Sequence, residues 1–268
     1  DGPSTGTWRS VTGVENGSET RAGTARRQTA DARRAMSDAG SGRSEAPDVA
    51  VRAASDCPDG VADIARRVVD ADGRRWVREL LSGVFGAFPD PPATRRDALR
   101  AATAVELLVG YRRTRTPFGT SGAENASPEG EWRLLLAGDS LLALAFETVG
   151  TLSVDPPVVA ECFAVMTRAA EEAARGDEFD AVVAELTTEL GAVLGGARER
   201  TREESRRCGR AIGAAVASDT GVDRQNGEWR AVRRVVGSVG DADLRRELNA
   251  FVDELARRPC RKKGLNGR

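Results

Sequence analysis

From about residue 58 onward, apolar residues recur at steps of three and four, and no stretch shows the strict alternation of a half-buried strand. Val61, Ile64, Ala65 and Val68 share one helical face, and Gly73 breaks the pattern after them. Trp76, Val77, Leu80, Leu81, Val84 and Phe85 form a second apolar stripe, stopped by Pro89, Pro91 and Pro92. Thr94 is placed to cap the next helix, with Asp97 in its first turn. That helix carries Ala104, Leu107, Leu108 and Tyr111 on one face. After a loop from Thr116 to Pro128, the run Trp132 to Phe146 is nearly all apolar apart from Asp139 and Ser140. Such a helix is expected to be buried on most sides, so the Asp139 carboxylate needs a partner.

Ser127-Pro128-Glu129 and Asp155-Pro156-Pro157 each supply a cap followed by a first-turn proline. Gly176-Asp177 and Gly240-Asp241 mark further stops and restarts, which predicts helices over 157–175, 178–194, 199–217, 228–238 and 241–257. The expected fold class is therefore all-α, a bundle of roughly 8 to 10 antiparallel helices joined by short capped loops. Residues 1–55 are rich in Gly, Ser, Thr, Arg and Asp, with too few apolar residues to offset the entropy of ordering, and are expected to be a disordered tail. The helical domain is expected over 56–260, followed by a basic tail over 261–268.

Composition removes several classes of chemistry. There is no histidine, which excludes Ser-His and Cys-His nucleophile pairs and any imidazole base. Cys57, Cys162, Cys208 and Cys260 lack C-x-x-C spacing and read as reduced structural thiols. A formal net charge of −1 gives no general attraction to nucleic acid. The most apolar run carries Asp139 and Glu147, which disfavours a transmembrane segment, and with no apolar signal region the expected location is cytoplasmic.

Two segments carry a family resemblance. Leu136-Ala137-Gly138-Asp139-Ser140-Leu141-Leu142-Ala143-Leu144-Ala145-Phe146 resembles the A-G-D-x-L-L-x-x-A-F segment of trans-isoprenyl diphosphate synthases, the polyprenyl synthetases. Val105-Glu106-Leu107-Leu108 with Tyr111 resembles the V-E-L-L-H-x-x-S/Y segment that precedes that family's first aspartate-rich motif. More loosely, Leu190-Gly191-Ala192-Val193-Leu194-Gly195-Gly196 resembles its L-G-A-x-x-G-G run. The likeness extends over residues 60–223, and packing segments are retained in it better than catalytic ones.

The resemblance implies an isoprenoid-synthase-type bundle around a central cavity. It also implies a chemistry in which two aspartate-rich motifs hold Mg²⁺ against the diphosphate of an allylic substrate. Here the leading aspartates of the first motif fall on Thr116 and Pro117, neither a metal ligand. Asp219 and Asp223 resemble a remnant of the second motif, with Thr220 in place of its second aspartate and the register one residue short. Alone they are expected to bind Mg²⁺ weakly, since that ion wants substrate phosphates to complete its shell. Arg74 and Arg75 occupy the Lys and Arg positions of a loose match to the family's diphosphate-binding G-G-K-R-L-R-P, and Asp139 is expected to support a neighbouring cationic group. The expectation is a degenerate, non-catalytic or regulatory subunit. It would act as a homodimer or as a heterodimer with a complete prenyl synthase, through the Ala101–Phe146 region. An active prenyltransferase and a binder of isoprenoid or other apolar ligands are the alternatives.

Overall fold

The computed structural model describes residues 61–70, 75–115, 128–175, 178–218 and 227–257. Among them every regular element is a helix. In chain order these are α1 (Val61–Asp70), α2 (Arg75–Gly86), α3 (Arg95–Arg115), α4 (Pro128–Gly150), α5 (Pro156–Arg175), α6 (Phe179–Leu194), α7 (Glu199–Ala217), α8 (Gly227–Gly237) and α9 (Ala242–Arg257). The all-α expectation holds. The tails expected over 1–55 and 261–268 lie outside the described residues.

Local chemistry sets the helix starts as the sequence implied. Thr94 and Asp97 form a reciprocal cap: the Asp97 backbone N–H donates to Thr94 Oγ1 at 3.2 Å, and the Thr94 N–H donates to Asp97 Oδ2 at 3.0 Å. The other Asp97 oxygen accepts from the Ser153 N–H at 2.8 Å, tying the start of α3 to the α4–α5 connection. Asp241 caps α9 by accepting from the Asp243 and Leu244 N–H groups at 3.0 and 2.9 Å. At the end of α6 the chain reverses through Gly195 and Gly196. Gly196 takes φ of +74°, a conformation that glycine adopts without strain.

α6 is the central helix, buried without interruption from Ala181 to Leu194. One apolar cluster gathers Val61, Leu81, Leu107, Leu108, Leu141, Met166, Leu186 and Leu190 from the first six helices. A second gathers Leu80, Val84, Cys208, Ile212, Trp229, Val232, Leu244 and Leu248, with α2 and α6 serving both. Small residues set how closely the helices approach. A Cβ on Gly209 would lie 2.5 Å from the Ala184 carbonyl oxygen, and one on Gly213 would lie 2.1 Å from that of Asp180. Contacts that move forward along α7 as they move back along α6 make the two helices antiparallel, in near backbone contact. Gly191 lies against Val84 and Gly195 against Phe88, so α2 runs in the same direction as α6.

Candidate functional site

Six helix termini meet at one end of the bundle, with the middle of α4 packed against them. The Arg113 guanidinium, near the end of α3, donates to the Val68 carbonyl near the end of α1 at 2.7 Å. Arg112 lies over the ring of Phe179 at the start of α6, 5.9 Å from its centroid. Thr114 packs so tightly on α4 that a Cβ on Gly138 would lie 2.0 Å from its hydroxyl oxygen. Gly213 brings the last turns of α7 onto the first turn of α6, and Arg210 reaches Glu172 near the end of α5 at 2.7 Å. Ser218, just past α7, donates to Glu228 in the first turn of α8 at 2.5 Å. From this end the chain passes out of α3 into 116–127 and out of α7 into 219–226.

Those two segments hold the positions where metal ligands were sought. Thr116 and Pro117, and the candidate ligands Asp219 and Asp223, lie outside the described residues, as does Arg74. Arg75 is described only as the backbone that opens α2. No cluster of three or more Asp, Glu or Cys able to hold a cation occurs among the described residues. The last turn of α3 instead carries Arg112, Arg113 and Arg115. Guanidinium groups at a helix C-terminus are stabilised by the backbone carbonyls there and repel a divalent cation. Among its described residues this end offers guanidinium groups and no cluster of three carboxylates. Burial pushes the Arg113 pKa down, partly offset by the Asp180 carboxylate facing it.

Asp139 differs from expectation. Rather than being buried, it stands on the outer face of α4 with its side chain 60% exposed, ion-paired to Arg115. The expected partner is present, but the burial is not. The cause is the disposition of α4, whose inward face carries Ala137, Leu141, Leu144, Ala145 and Val149 while its outward face remains uncovered. Trp132 and Leu135 on that outward face are 42% and 39% exposed. Glu106 of the Val105-Glu106-Leu107-Leu108 segment faces Arg78 of α2 at 3.7 Å, both side chains nearly buried.

Sequence reasoning missed an ionic network on α6. Glu185 and Glu189 are buried one turn apart. Glu189 pairs with Arg168 of α5, and Glu185 accepts from Arg210 of α7 at 2.5 Å, with Arg206 at 3.5 Å. Burial pushes the Glu189 pKa up despite the Arg168 hydrogen bond, and the Glu185 hydrogen bond pushes the Arg210 pKa up. The signal was legible: two glutamates four apart in the apolar α6 run, and two arginines four apart in α7.

The arrangement of helices is that of the isoprenyl diphosphate synthases. An FPP/GFPP synthase from Zymomonas mobilis matches with a TM-score of 0.59 at 16% identity, over 85% of this chain and 99% of that one. A geranyltransferase from Helicobacter pylori, complexed with magnesium and isoprenyl diphosphate, matches with a TM-score of 0.58 at 13% identity, over 74% and 89%. The geranyl diphosphate synthase small subunit from Antirrhinum majus matches with a TM-score of 0.55 at 19% identity, over 74% and 90%. Identities this low carry the fold alone. No family model matches the sequence, and no curated protein does. Among the described residues no helix is long and apolar enough to cross a membrane.

Proposed function

We propose that this chain is a non-catalytic subunit on the isoprenyl-synthase scaffold, linked to isoprenoid biosynthesis and acting by association with another chain of the same fold. A complete prenyl synthase is the first candidate. The observation that carries the reading is the end of α3, where Arg112, Arg113 and Arg115 lead into Thr116 and Pro117. Diphosphate ionisation on this scaffold needs carboxylate-held Mg²⁺ at that end to neutralise the leaving group. With Thr116 and Pro117 at the ligand positions, most of the stabilisation of the developing charge is lost. Asp219 and Asp223, if they face the same end, form half a site with weak Mg²⁺ affinity. Arg74 and Arg75 remain the candidates for holding a diphosphate, with Asp139 positioning Arg115. The apolar outer face of α4 supplies the surface for association. That a small subunit of geranyl diphosphate synthase shares the fold supports the same reading.

The purified chain is incubated with labelled isopentenyl diphosphate, an allylic diphosphate and Mg²⁺, alone and mixed with a complete prenyl synthase from the same cell. No turnover alone, together with a changed rate or product length in the mixture, is the expected result. Turnover by the chain alone that falls in Asp219→Ala would reinstate the prenyltransferase reading.

A further inference from the structure

Charge is spread unevenly along the chain. Residues 227–268 hold eleven Arg and Lys against six Asp and Glu, a surplus of five, and with −1 overall residues 1–226 carry −6. α9 contributes none of the surplus. Its Arg246 pairs with Asp243 and Glu247, its Arg257 with Glu254, and its Arg245 donates to the Val239 carbonyl at 2.9 Å. The excess comes from α8 and from the sequence after α9, where Arg258, Arg261, Lys262, Lys263 and Arg268 have no acidic residue among them.

On α8 the arginines share one flank. Trp229, Val232 and Val236 form its buried stripe. At about 100° per residue, the exposed Arg230, Arg233 and Arg234 fall within an arc of about 100° beside that stripe. Glu228, the one acidic residue of α8, lies on the other side and accepts from Ser218. Gly237 falls inside the arginine arc, and a Cβ there would meet nothing within 4 Å, so the flank is open at that point. Arg233 reaches Asp253 of α9 at 3.3 Å, while Arg230 and Arg234 have no carboxylate partner among the described residues. Asp253 stands one turn before Arg257. The same pair therefore sets the end of α9, where the basic sequence begins, beside the arginine flank.

Guanidinium groups bind phosphate oxygens through paired N–H donors. Near a densely anionic bilayer each Arg or Lys adds about fivefold to partition. Shape and charge separate a bilayer from a nucleic acid here. Trp229 is 3% exposed and is the only aromatic residue of α8, so no ring is offered to stack on a base. An extended polyanion would also run past the −6 of the remaining chain, whereas a flat surface meets one side of the molecule and leaves the acidic remainder in screening solvent. No large apolar side chain is exposed on α8, so the contact is electrostatic, without insertion.

We infer that the α8 flank of Arg230, Arg233 and Arg234, extended by the basic sequence after Arg257, docks the chain on a bilayer surface rich in anionic phospholipid. A second chain plays no part in this contact, which stands or falls independently of the proposed subunit role.

The full chain is sedimented with vesicles of phosphatidylcholine alone and of equal parts phosphatidylcholine and phosphatidylglycerol. It should sediment with the second and not the first, and raising NaCl from about 50 to about 500 mM should lower partition about tenfold or more. Arg230→Glu with Arg234→Glu, at exposed positions outside the ion pairs, should lower it about tenfold or more with melting temperature unchanged. Arg66→Glu with Arg67→Glu on α1 makes the same change in net charge and should leave partition within about twofold of the parent. Arg261→Glu with Lys262→Glu and Lys263→Glu should weaken binding as well. Binding that is equal on phosphatidylcholine, or indifferent to salt, would overturn the inference. So would an α8 variant that binds like the parent, an equal loss in the α1 variant, or tighter binding to a mixed-sequence oligonucleotide than to the anionic vesicles at the same salt.

Discussion

Gly213 of α7 rests directly on the backbone of Asp180 in α6, with room for no side-chain atom between them. A Cβ there would sit 2.1 Å from the Asp180 carbonyl oxygen and 2.5 Å from the Ala181 Cα. Both obstacles are backbone, so Gly213→Ala must push the helices apart, and a loss of about 1–3 kcal/mol is expected. Gly83 in α2 is the control, since a Cβ there meets nothing within 4 Å. Gly83→Ala should stabilise by about 0.5–1 kcal/mol through helix propensity alone. Urea denaturation of both variants checks the pair, and equal effects would show that the α6–α7 contact is not what Gly213 serves.

Asp97 supports a second expectation. Burial alone would raise its pKa, yet hydrogen bonds from the Thr94 hydroxyl and from the Ser153 and Thr94 N–H groups, with Arg100 nearby, hold it below the ordinary value of 3.8. A carboxylate depressed on folding contributes stability above its unfolded pKa and loses it as pH falls through the folded value. Asp97→Ala should therefore cost about 2 kcal/mol at neutral pH, where it strips the cap and leaves the Ser153 N–H unpaired. The gap between variant and parent should narrow as pH falls below about 4. Chemical denaturation at several pH values measures that gap, and one that stays constant would exclude the ionised cap as its source.

The helices were legible because their signals are local. Thr94 with Asp97, Asp241 before α9, and the prolines after α2 each act within a turn of themselves, so sequence spacing locates them without knowledge of the fold. Burial around α4 was not legible, because its run of leucines and alanines does not say which side meets α3. Only the tertiary approach at Gly110 and Gly138 assigns the inward face, leaving Trp132, Leu135 and Asp139 outside. The arginines closing α3 were missed for a different reason. In a chain whose only lysines are Lys262 and Lys263, one more arginine cluster carries little information until helix ends are brought together. Of the sequence-derived site residues, Asp139 is the one whose side chain the structure places.

The thiols give a third expectation. Cys162 and Cys208 are buried in the two apolar clusters, and desolvation pushes each pKa up to about 12. Only the thiolate reacts at an appreciable rate, so native protein at pH 8 should leave both unmodified by a maleimide. Mass spectrometry after denaturation should show them labelled in full. Prompt labelling of Cys208 in native protein would mean that α7 separates from α6 readily, against the tight glycine contacts seen there.

Glu189 tests whether the ionic network on α6 stabilises the bundle or merely accommodates buried charge. Burial raises its pKa above the ordinary 4.5, and the Arg168 hydrogen bond and charge, with Arg206 beyond, offset this only in part, while Glu185 adds to the rise. A carboxylate raised on folding contributes stability below its unfolded pKa and loses it as pH rises through the folded value. Parent protein should therefore weaken relative to Glu189→Gln as pH rises from about 4.5 toward neutral, by at most about 1.4 kcal/mol per pH unit for one proton. At pH 7 glutamine removes the cost of burying the charge but also the pair with Arg168, whose side chain is 37% exposed and can return to water. Because burial outweighs the pair, the variant should match parent in acid, where glutamine resembles the protonated carboxyl, and be somewhat more stable than parent at neutral pH. If Glu189→Gln were instead strongly destabilised at pH 7 and matched parent in acid, the ionised pair would be a net source of stability, and burial would not govern this carboxylate.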